Sequence, residues 1–174
     1  MRNPYRLAFP MLALACAVLA MGHSANATTE PTTRPISLLI SMENGQSITL
    51  DESRFQKLAR KTITAVNHDG IKVTYSGVAL ADLLALVAIP SGDRLRGDAM
   101  AMYIVAQGSD GYQVTLSIAE ADNAFREQGI IVADSQNGGP LPTNAQPLQL
   151  IIPRDKRTSR WVRSLTKLDV RRAQ

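Results

Sequence analysis

Arginine and lysine residues are concentrated at the C-terminal end of the sequence, and guanidinium groups can bind anions through forked hydrogen bonds. Residues 154–174 contain eight basic and two acidic residues, whereas residues 28–153 contain nine basic and thirteen acidic residues. An anionic ligand or an acidic partner surface would complement this basic segment. Solvated surface charge explains the same pattern, and the sequence leaves both interpretations open.

The scarcity of cysteine and histidine excludes several other kinds of site. Cys16 is the only cysteine, and it lies within a segment that we predict below to be removed. No disulfide, thiolate nucleophile or thiolate metal ligand would then remain. His68 would be the sole histidine, too few for a usual zinc site, and it lies in a sequence typical of a tight turn, Asn67-His68-Asp69-Gly70. We therefore interpret His68 as a turn residue and expect neither catalytic residues nor a metal site.

The first 27 residues have the features of a cleavable export signal. Arg2 and Arg6 precede an apolar run at residues 7–21, and Ala25-Asn26-Ala27 has the small-x-small pattern of a cleavage site. The run is shorter than the ~20 residues of a transmembrane helix, so an uncleaved anchor is the less favoured alternative. Cys16 lies in mid-run without the usual upstream aliphatic residue, which argues against lipidation. We predict cleavage after Ala27, a periplasmic location and no membrane span after cleavage.

The remaining 147 residues have the length of one domain with a substantial core. We predict a disordered polar lead-in at residues 28–35, a single domain at residues 36–171 and a short tail at residues 172–174. Aromatic residues make up only 5% of the chain, which gives few side chains for stacking on bases and argues against nucleic-acid binding.

Alternating apolar residues predict an α+β domain made mostly of strands, with two or three short helices. The predicted strands are residues 36–42, 46–50, 61–67, 71–75, 100–106, 112–116, 129–133, 147–152 and 161–170. The predicted helices are residues 51–59 (capped by Asp51 or Ser53), 78–88 and 117–128 (capped by Ser117 with Glu120), and a long loop is predicted at residues 134–146. The expected core includes Leu80, Leu83, Leu84, Val87 and Trp161, and Tyr112 is expected to be a core aromatic as well.

Five segments, in order, resemble the molybdopterin-binding domain of the sulfite oxidase family. They are residues 75–84 around Gly77-Val78-Ala79-Leu80, Asp110-Gly111-Tyr112, residues 131–142 ending in Asn137-Gly138-Gly139-Pro140-Leu141-Pro142, residues 147–153, and residues 156–162. The resemblance extends over roughly residues 62–170. It implies the sulfite-oxidase-like molybdopterin-binding fold, with mixed sheets and short helices.

The sequence departs from the family where the cofactor is held. The family has a metal-ligating cysteine upstream of its Gly-Val-Pro-Leu segment, and Ala65 lies at about that position here. Gln149 replaces the arginine of the Pro-Leu-Arg strand, Ala145 replaces a glycine before it, and Asn144 lies where a donor is often found. The resemblance therefore implies that the metal ligand and one cationic cofactor contact are missing.

The resemblance places Arg154, Arg157 and Arg160 where the family's cofactor phosphate would lie, and the Ser159 hydroxyl would add another donor there. Arg160 replaces a lysine of the family and keeps its charge. Arg154, Arg157, Ser159 and Arg160 are accordingly our candidates for an anion or a pterin phosphate, with solvated surface charge as the alternative.

Three functions remain in contention. The missing thiolate favours a non-catalytic module without molybdenum that binds a small anion or a membrane-bound sensor or redox partner. A periplasmic molybdopterin-dependent oxidoreductase, or an accessory subunit of one, is the alternative, with molybdopterin as its cofactor. A structural envelope protein without a ligand is the third, and the clustered arginines count mildly against it.

Overall fold

The computed structural model of the protein describes residues 34–173. The predicted export signal at residues 1–27 and nearly all of the predicted lead-in lie outside these residues. Ten strands and three short helices form the framework of the described part. The strands are β1 (Ser37–Met42), β2 (Ser47–Asp51), β3 (Arg60–Val66), β4 (Lys72–Ala79), β5 (Met102–Gly108), β6 (Gln113–Ser117), β7 (Ile131–Gln136), β8 (Gly139–Pro140), β9 (Gln149–Ile151) and β10 (Leu165–Arg172). The helices are α1 (Glu52–Phe55), α2 (Leu80–Ala85) and α3 (Ile118–Ala121).

The first sheet has the strand order β2-β1-β10-β5-β6. Strands β1 and β10 pair in parallel, and the other neighbours pair antiparallel, so the sheet is mixed. Two hairpins predicted from the sequence, β1–β2 and β5–β6, are confirmed. The buried residues of β1, Leu38 and Ile40, alternate with more exposed ones, as expected for a sheet with one face on the core.

The second sheet has the order β3-β4-β7-β8, and β9 also pairs with β7. The predicted β3–β4 hairpin is confirmed, and its turn contains Gly70 at φ 78°. The predicted loop at residues 134–146 is wrong in its first part, because β7 continues to Gln136 and turns into β8. Asn137 and Gly138 make this turn with φ 48° and 79°, and the Asn137 side chain accepts a hydrogen bond from the backbone N–H of Thr74.

The helices are shorter than the periodicity predicts. Val78 and Ala79 belong to strand β4, because they pair with Val132 and Ile131 of β7. The predicted helix at residues 117–128 ends at Ala121. Its capping box at Ser117 and Glu120 is confirmed.

Asp122 explains why this helix ends early. Its carboxylate accepts hydrogen bonds from the backbone N–H groups of Ala124 and Gly92, at 2.8 and 2.6 Å. It therefore stabilises a turn in place of a continued helix. The first helix is likewise a single turn, capped by Asp51, with Phe55 fully buried.

The core lies between the sheets and under the short helices. Every predicted core residue of the segment after β4 is buried, namely Leu80, Leu83, Leu84 and Val87, and Trp161 is 5% exposed. Tyr112, in contrast, is 48% exposed, so its prediction as a core aromatic is wrong. No helix within residues 34–173 is long and apolar enough to span a membrane.

Candidate functional site

A cleft of about 310 Å³ opens where the β3–β4 turn, the β7–β8 hairpin and the segment before β10 meet. Its lining residues are Asn67, His68, Asp69, Tyr75, Gln136, Pro142, Asn144, Ala145, Gln149, Thr158, Trp161 and Arg163. Four of them are amides, and one is an arginine. A cleft of this size with converging polar groups has the character of a small-molecule site.

An aromatic pair forms part of the buried floor of the cleft. Tyr75 and Trp161 are 3% and 5% exposed, and their rings meet edge to face with centroids 5.7 Å apart. The Trp161 Nε1–H donates a hydrogen bond to the backbone carbonyl of Ile152 at 2.9 Å. Since its polar edge is bonded and its ring is packed, Trp161 is held in one orientation.

Two buried side chains on the floor carry polar groups with no hydrogen-bond partner among the described residues. These are the Tyr75 hydroxyl and the amide of Gln149, which is 7% exposed. Within residues 34–173, every fully enclosed side-chain nitrogen or oxygen has a partner. The polar ends of Tyr75 and Gln149 must therefore reach solvent, and the cleft that both residues line provides that access.

Arg163 supplies the positive charge of the cleft. It is exposed at the rim, and it forms no ion pair with the described part of the chain. Burial raises the pKa of the Tyr75 phenol, and the positive charge of Arg163 partly offsets this rise. Tyr75 is thus protonated at neutral pH and can donate a hydrogen bond in the field of Arg163.

Backbone hydrogen bonds hold the segment of Arg163 against the loop before β9. The N–H of Ser164 donates to the carbonyl of Ala145 at 3.1 Å, and the Ser164 hydroxyl donates to the carbonyl of Asn144 at 3.3 Å. The N–H of Leu165 donates to Leu148 at 2.8 Å. These bonds bring Arg163 and Asn144 to the same rim.

The β3–β4 turn forms the other side of the rim. The Asn67 side chain accepts hydrogen bonds from the N–H groups of Asp69 and Ile71, both at 3.0 Å, which fixes the turn. His68 and Asp69 lie side by side, with Nε2 and Oδ1 3.0 Å apart. The interpretation of His68 as a turn residue is confirmed, although its position beside the cleft was not foreseen.

The four residues proposed from the sequence lie outside the lining of the cleft. Arg160 is held by two carboxylates: its Nε and Nη2 donate to Asp155 at 2.8 and 2.7 Å, and its Nη1 donates to Glu120 at 3.0 Å. Hydrogen bonds to Asp155, and then to Glu120, raise the pKa of Arg160. Its charge is therefore already compensated.

The other three candidates, Arg154, Arg157 and Ser159, have different surroundings. Arg154 pairs with Glu127, Arg157 is exposed, and the backbone carbonyl of Ser159 accepts a hydrogen bond from the hydroxyl of Tyr112 at 2.5 Å. Anion binding by Arg154, Arg157, Ser159 and Arg160 stays a prediction. Their neighbour Thr158 does line the cleft.

Three positions that the family resemblance associates with the cofactor do converge on the cleft. Asn144, Ala145 and Gln149 all line it. Ala65 is buried in β3, and the turn that begins two residues later reaches the rim. Arg163 was missed because it lies just beyond the last matching motif, and Tyr75 was noted only as the aromatic residue of the first.

Comparisons with known proteins agree with this fold. A family described as "Oxidoreductase molybdopterin binding domain" matches residues 37–174. Among solved structures, the sulfane dehydrogenase SoxCD from Paracoccus pantotrophus is similar, with a TM-score of 0.62 and 17% sequence identity. The similarity covers 78% of this chain and 38% of the SoxCD chain, so the present chain corresponds to well under half of that protein. No curated protein sequence matches the chain.

Proposed function

The chain belongs to the oxidoreductase molybdopterin-binding domain family, and we propose that it acts as a small-anion-binding module that holds no molybdenum. The resemblance inferred from the sequence motifs and the sulfite-oxidase-like fold are both confirmed. The finer function is our proposal, and the composition of the cleft supports it.

The residues of the cleft do not fit a thiolate-held molybdenum cofactor. No cysteine occurs among residues 34–173, and these residues contain no group of three His, Cys, Asp or Glu side chains that could hold a metal ion. The resemblance implies an arginine where Gln149 stands, so a strongly anionic cofactor would also lack one of its compensating charges. Asn144 and Gln149 offer hydrogen bonds but no charge.

The observation that carries the proposal is Arg163 at the rim of this cleft. A guanidinium group that is not engaged by a carboxylate can bind an oxyanion through two parallel hydrogen bonds. Thr158 and Asn144 line the same cleft and can add neutral donors. Arg163 with these neutral donors suits a small anion, and the lining carboxylate, Asp69, lies beside His68 on the β3–β4 turn.

Export to the periplasm is part of the proposal and rests on the sequence of residues 1–27. We propose a single domain at residues 36–171 with a short tail at residues 172–174, although β10 continues through Arg172. Intact-mass measurement of the exported protein tests the cleavage after Ala27. A mass that retains residues 1–27, or that includes lipid on Cys16, would contradict it.

Two measurements on protein from a host that synthesises molybdopterin test the binding function. Elemental analysis and pterin fluorescence after denaturation should find molybdenum far below one equivalent. Acetate, gluconate, sulfate and phosphate are then titrated at constant ionic strength while the fluorescence of Trp161, the sole tryptophan, is recorded. At least one anion should give a saturable change that Arg163→Met abolishes and that Arg94→Met, a change at an exposed arginine outside the lining, retains. Near-equimolar molybdenum, or no response to any anion, would refute the proposal.

Family membership favours a second candidate, a molybdopterin-dependent oxidoreductase or an accessory subunit of one. In either case the chain could act with a membrane-bound sensor or redox partner. Near-equimolar molybdenum in the assay above would favour this candidate. Pterin without metal would instead support a cofactor carrier.

A further inference from the structure

We infer that the ligand of the cleft is a small organic monocarboxylate with hydroxyl or carbonyl groups, selected by Tyr75 and Gln149. This inference rests on the proposed anion-binding function and specifies its ligand class. It follows from the charge, the size and the buried polar groups of the cleft.

The charge of the lining limits the ligand to a single negative charge. Among residues 34–173, Arg163 is the only arginine or lysine in the lining, and the lining carboxylate, Asp69, lies beside His68. Arg160 is paired with Asp155 and Glu120 outside the cleft, so it adds no uncompensated charge. A dianion would keep one charge unpaired in a partly buried site, which is costly.

The size of the cleft favours an organic ligand over an inorganic one. At ~30 Å³ for each water molecule, a volume of 310 Å³ has room for roughly ten waters. An inorganic oxyanion at Arg163 would fill only a small part of this space and would leave the floor untouched. A ligand with a carbon skeleton can reach both the rim and the floor.

The floor requires hydrogen-bonding groups on that skeleton. Tyr75 and Gln149 are each more than nine-tenths buried as whole residues, and their polar ends, which reach the cleft, form no hydrogen bond with another described residue. A purely aliphatic tail would strip both groups of water without replacing their hydrogen bonds. Hydroxyl or carbonyl groups would satisfy both, since the amide and the phenol each donate and accept.

Four compounds separate the contributions of charge and polarity to binding. Gluconate has both a carboxylate and hydroxyl groups, hexanoate has only the carboxylate, sorbitol has only hydroxyl groups, and sulfate is an inorganic anion. Trp161 fluorescence in the full chain reports binding directly, because this sole tryptophan lines the cleft. Gluconate should bind at least about tenfold more tightly than the other three, since they each lack one set of contacts.

Two variants then test the role of the floor. Tyr75→Phe retains the ring that packs on Trp161, and Gln149→Leu retains a similar volume. Each should weaken gluconate binding roughly three- to tenfold and leave hexanoate binding unchanged, because each removes a hydrogen bond to the hydroxyl-bearing part of the ligand. Tyr112→Phe, an exposed tyrosine outside the cleft, is the control.

The outcomes distinguish this inference from the function on which it rests. If sulfate or hexanoate binds as tightly as gluconate, or if Tyr75→Phe weakens all anions equally, the ligand class is wrong while anion binding stands. If no anion gives a response that depends on Arg163, the proposed function itself fails, and the ligand class fails with it.

Discussion

Tyr75 and Trp161, which are far apart in sequence, meet at the floor of the cleft with ring planes at 87°. Tyr75 lies on β4 of the second sheet, whereas Trp161 lies in the segment that leads into β10 of the first sheet. The same contact therefore joins elements of the two sheets and shapes the candidate site. A change at either ring would therefore alter both the packing of these elements and the floor of the cleft.

We predict that Leu84→Ala lowers the free energy of unfolding by ~2–5 kcal/mol, the usual cost of truncating a buried leucine. Leu84 is 3% exposed in α2, and Leu86, two residues later, is 38% exposed. Leu86→Ala is therefore the matched control and should cost less than ~1 kcal/mol. Urea denaturation followed by circular dichroism measures both values. Equal effects of the two substitutions would show that α2 does not pack as described.

We predict that Gly77→Ala destabilises the protein by more than ~3 kcal/mol or prevents folding. A Cβ atom at this position would lie 2.0 Å from the Val132 carbonyl oxygen and 2.5 Å from the Ala133 Cα, where β4 passes β7. Gly139→Ala is the control, because its nearest neighbour would be the Gln136 oxygen at 3.9 Å. The yield of soluble protein and its thermal unfolding midpoint test this prediction for both variants. A fully stable Gly77→Ala protein would contradict this close strand approach.

Local patterns predicted the framework of the fold well. The hairpins, the Ser117–Glu120 capping box and the buried leucines of α2 follow from alternation, turn residues and caps that involve neighbouring residues. The early ends of the helices could not be predicted this way. They depend on partners distant in sequence, such as the pairing of Val78 with Val132 and the hydrogen bond from Gly92 to Asp122.

The candidate site was also predictable only in part, because its contacts likewise depend on residues distant in sequence. Motif positions identified Gln149 and Asn144, which line the cleft. The family resemblance drew attention to Arg160, but its charge is compensated by Glu120, forty positions earlier. Sequence spacing cannot show which arginine meets a carboxylate in the folded chain.

We predict that Glu120 contributes stability at neutral pH that is lost in acid. Burial opposes ionisation of Glu120, but hydrogen bonds from Ser117 and Arg160 outweigh it and hold its pKa below the ordinary value. A depressed pKa in the folded state stabilises the protein above the ordinary glutamate pKa of ~4.3, and this contribution disappears as the pH falls through the folded-state value. Urea unfolding between pH 7 and pH 3 measures this contribution to the free energy of unfolding. The difference in stability between the wild type and Glu120→Gln should shrink below about pH 4.3, and a constant difference would exclude this role.

The last prediction assigns different roles to Arg160 and Arg163, the first in stability and the second in anion binding. Arg160 donates to Asp155 and Glu120, and the side chain of Asp155 is 15% exposed. Among the described residues, Arg160→Met would therefore leave Asp155 without its ion-pair partner and Glu120 with only the longer ion-pair contact to Arg126 at 3.8 Å. We expect a loss of ~1–3 kcal/mol in the free energy of unfolding, which is typical when a hydrogen-bonded charge loses its partner. Anion binding in the cleft should persist, because Arg160 does not line it.

Arg163→Met should leave the stability nearly unchanged and weaken anion binding. Arg163 is exposed and forms no ion pair within residues 34–173, so its removal should change stability by less than ~0.5 kcal/mol. It is also the only arginine or lysine that lines the cleft in the described part of the chain, so the affinity for gluconate, measured by Trp161 fluorescence, should fall by more than about tenfold. Both variants are compared by urea unfolding and by the same titration. Only the arginine that contacts the ligand should change the affinity without changing the fold. If Arg160→Met abolishes gluconate binding at a temperature where the variant is folded, while Arg163→Met does not, the anion binds at Arg160 and its neighbours.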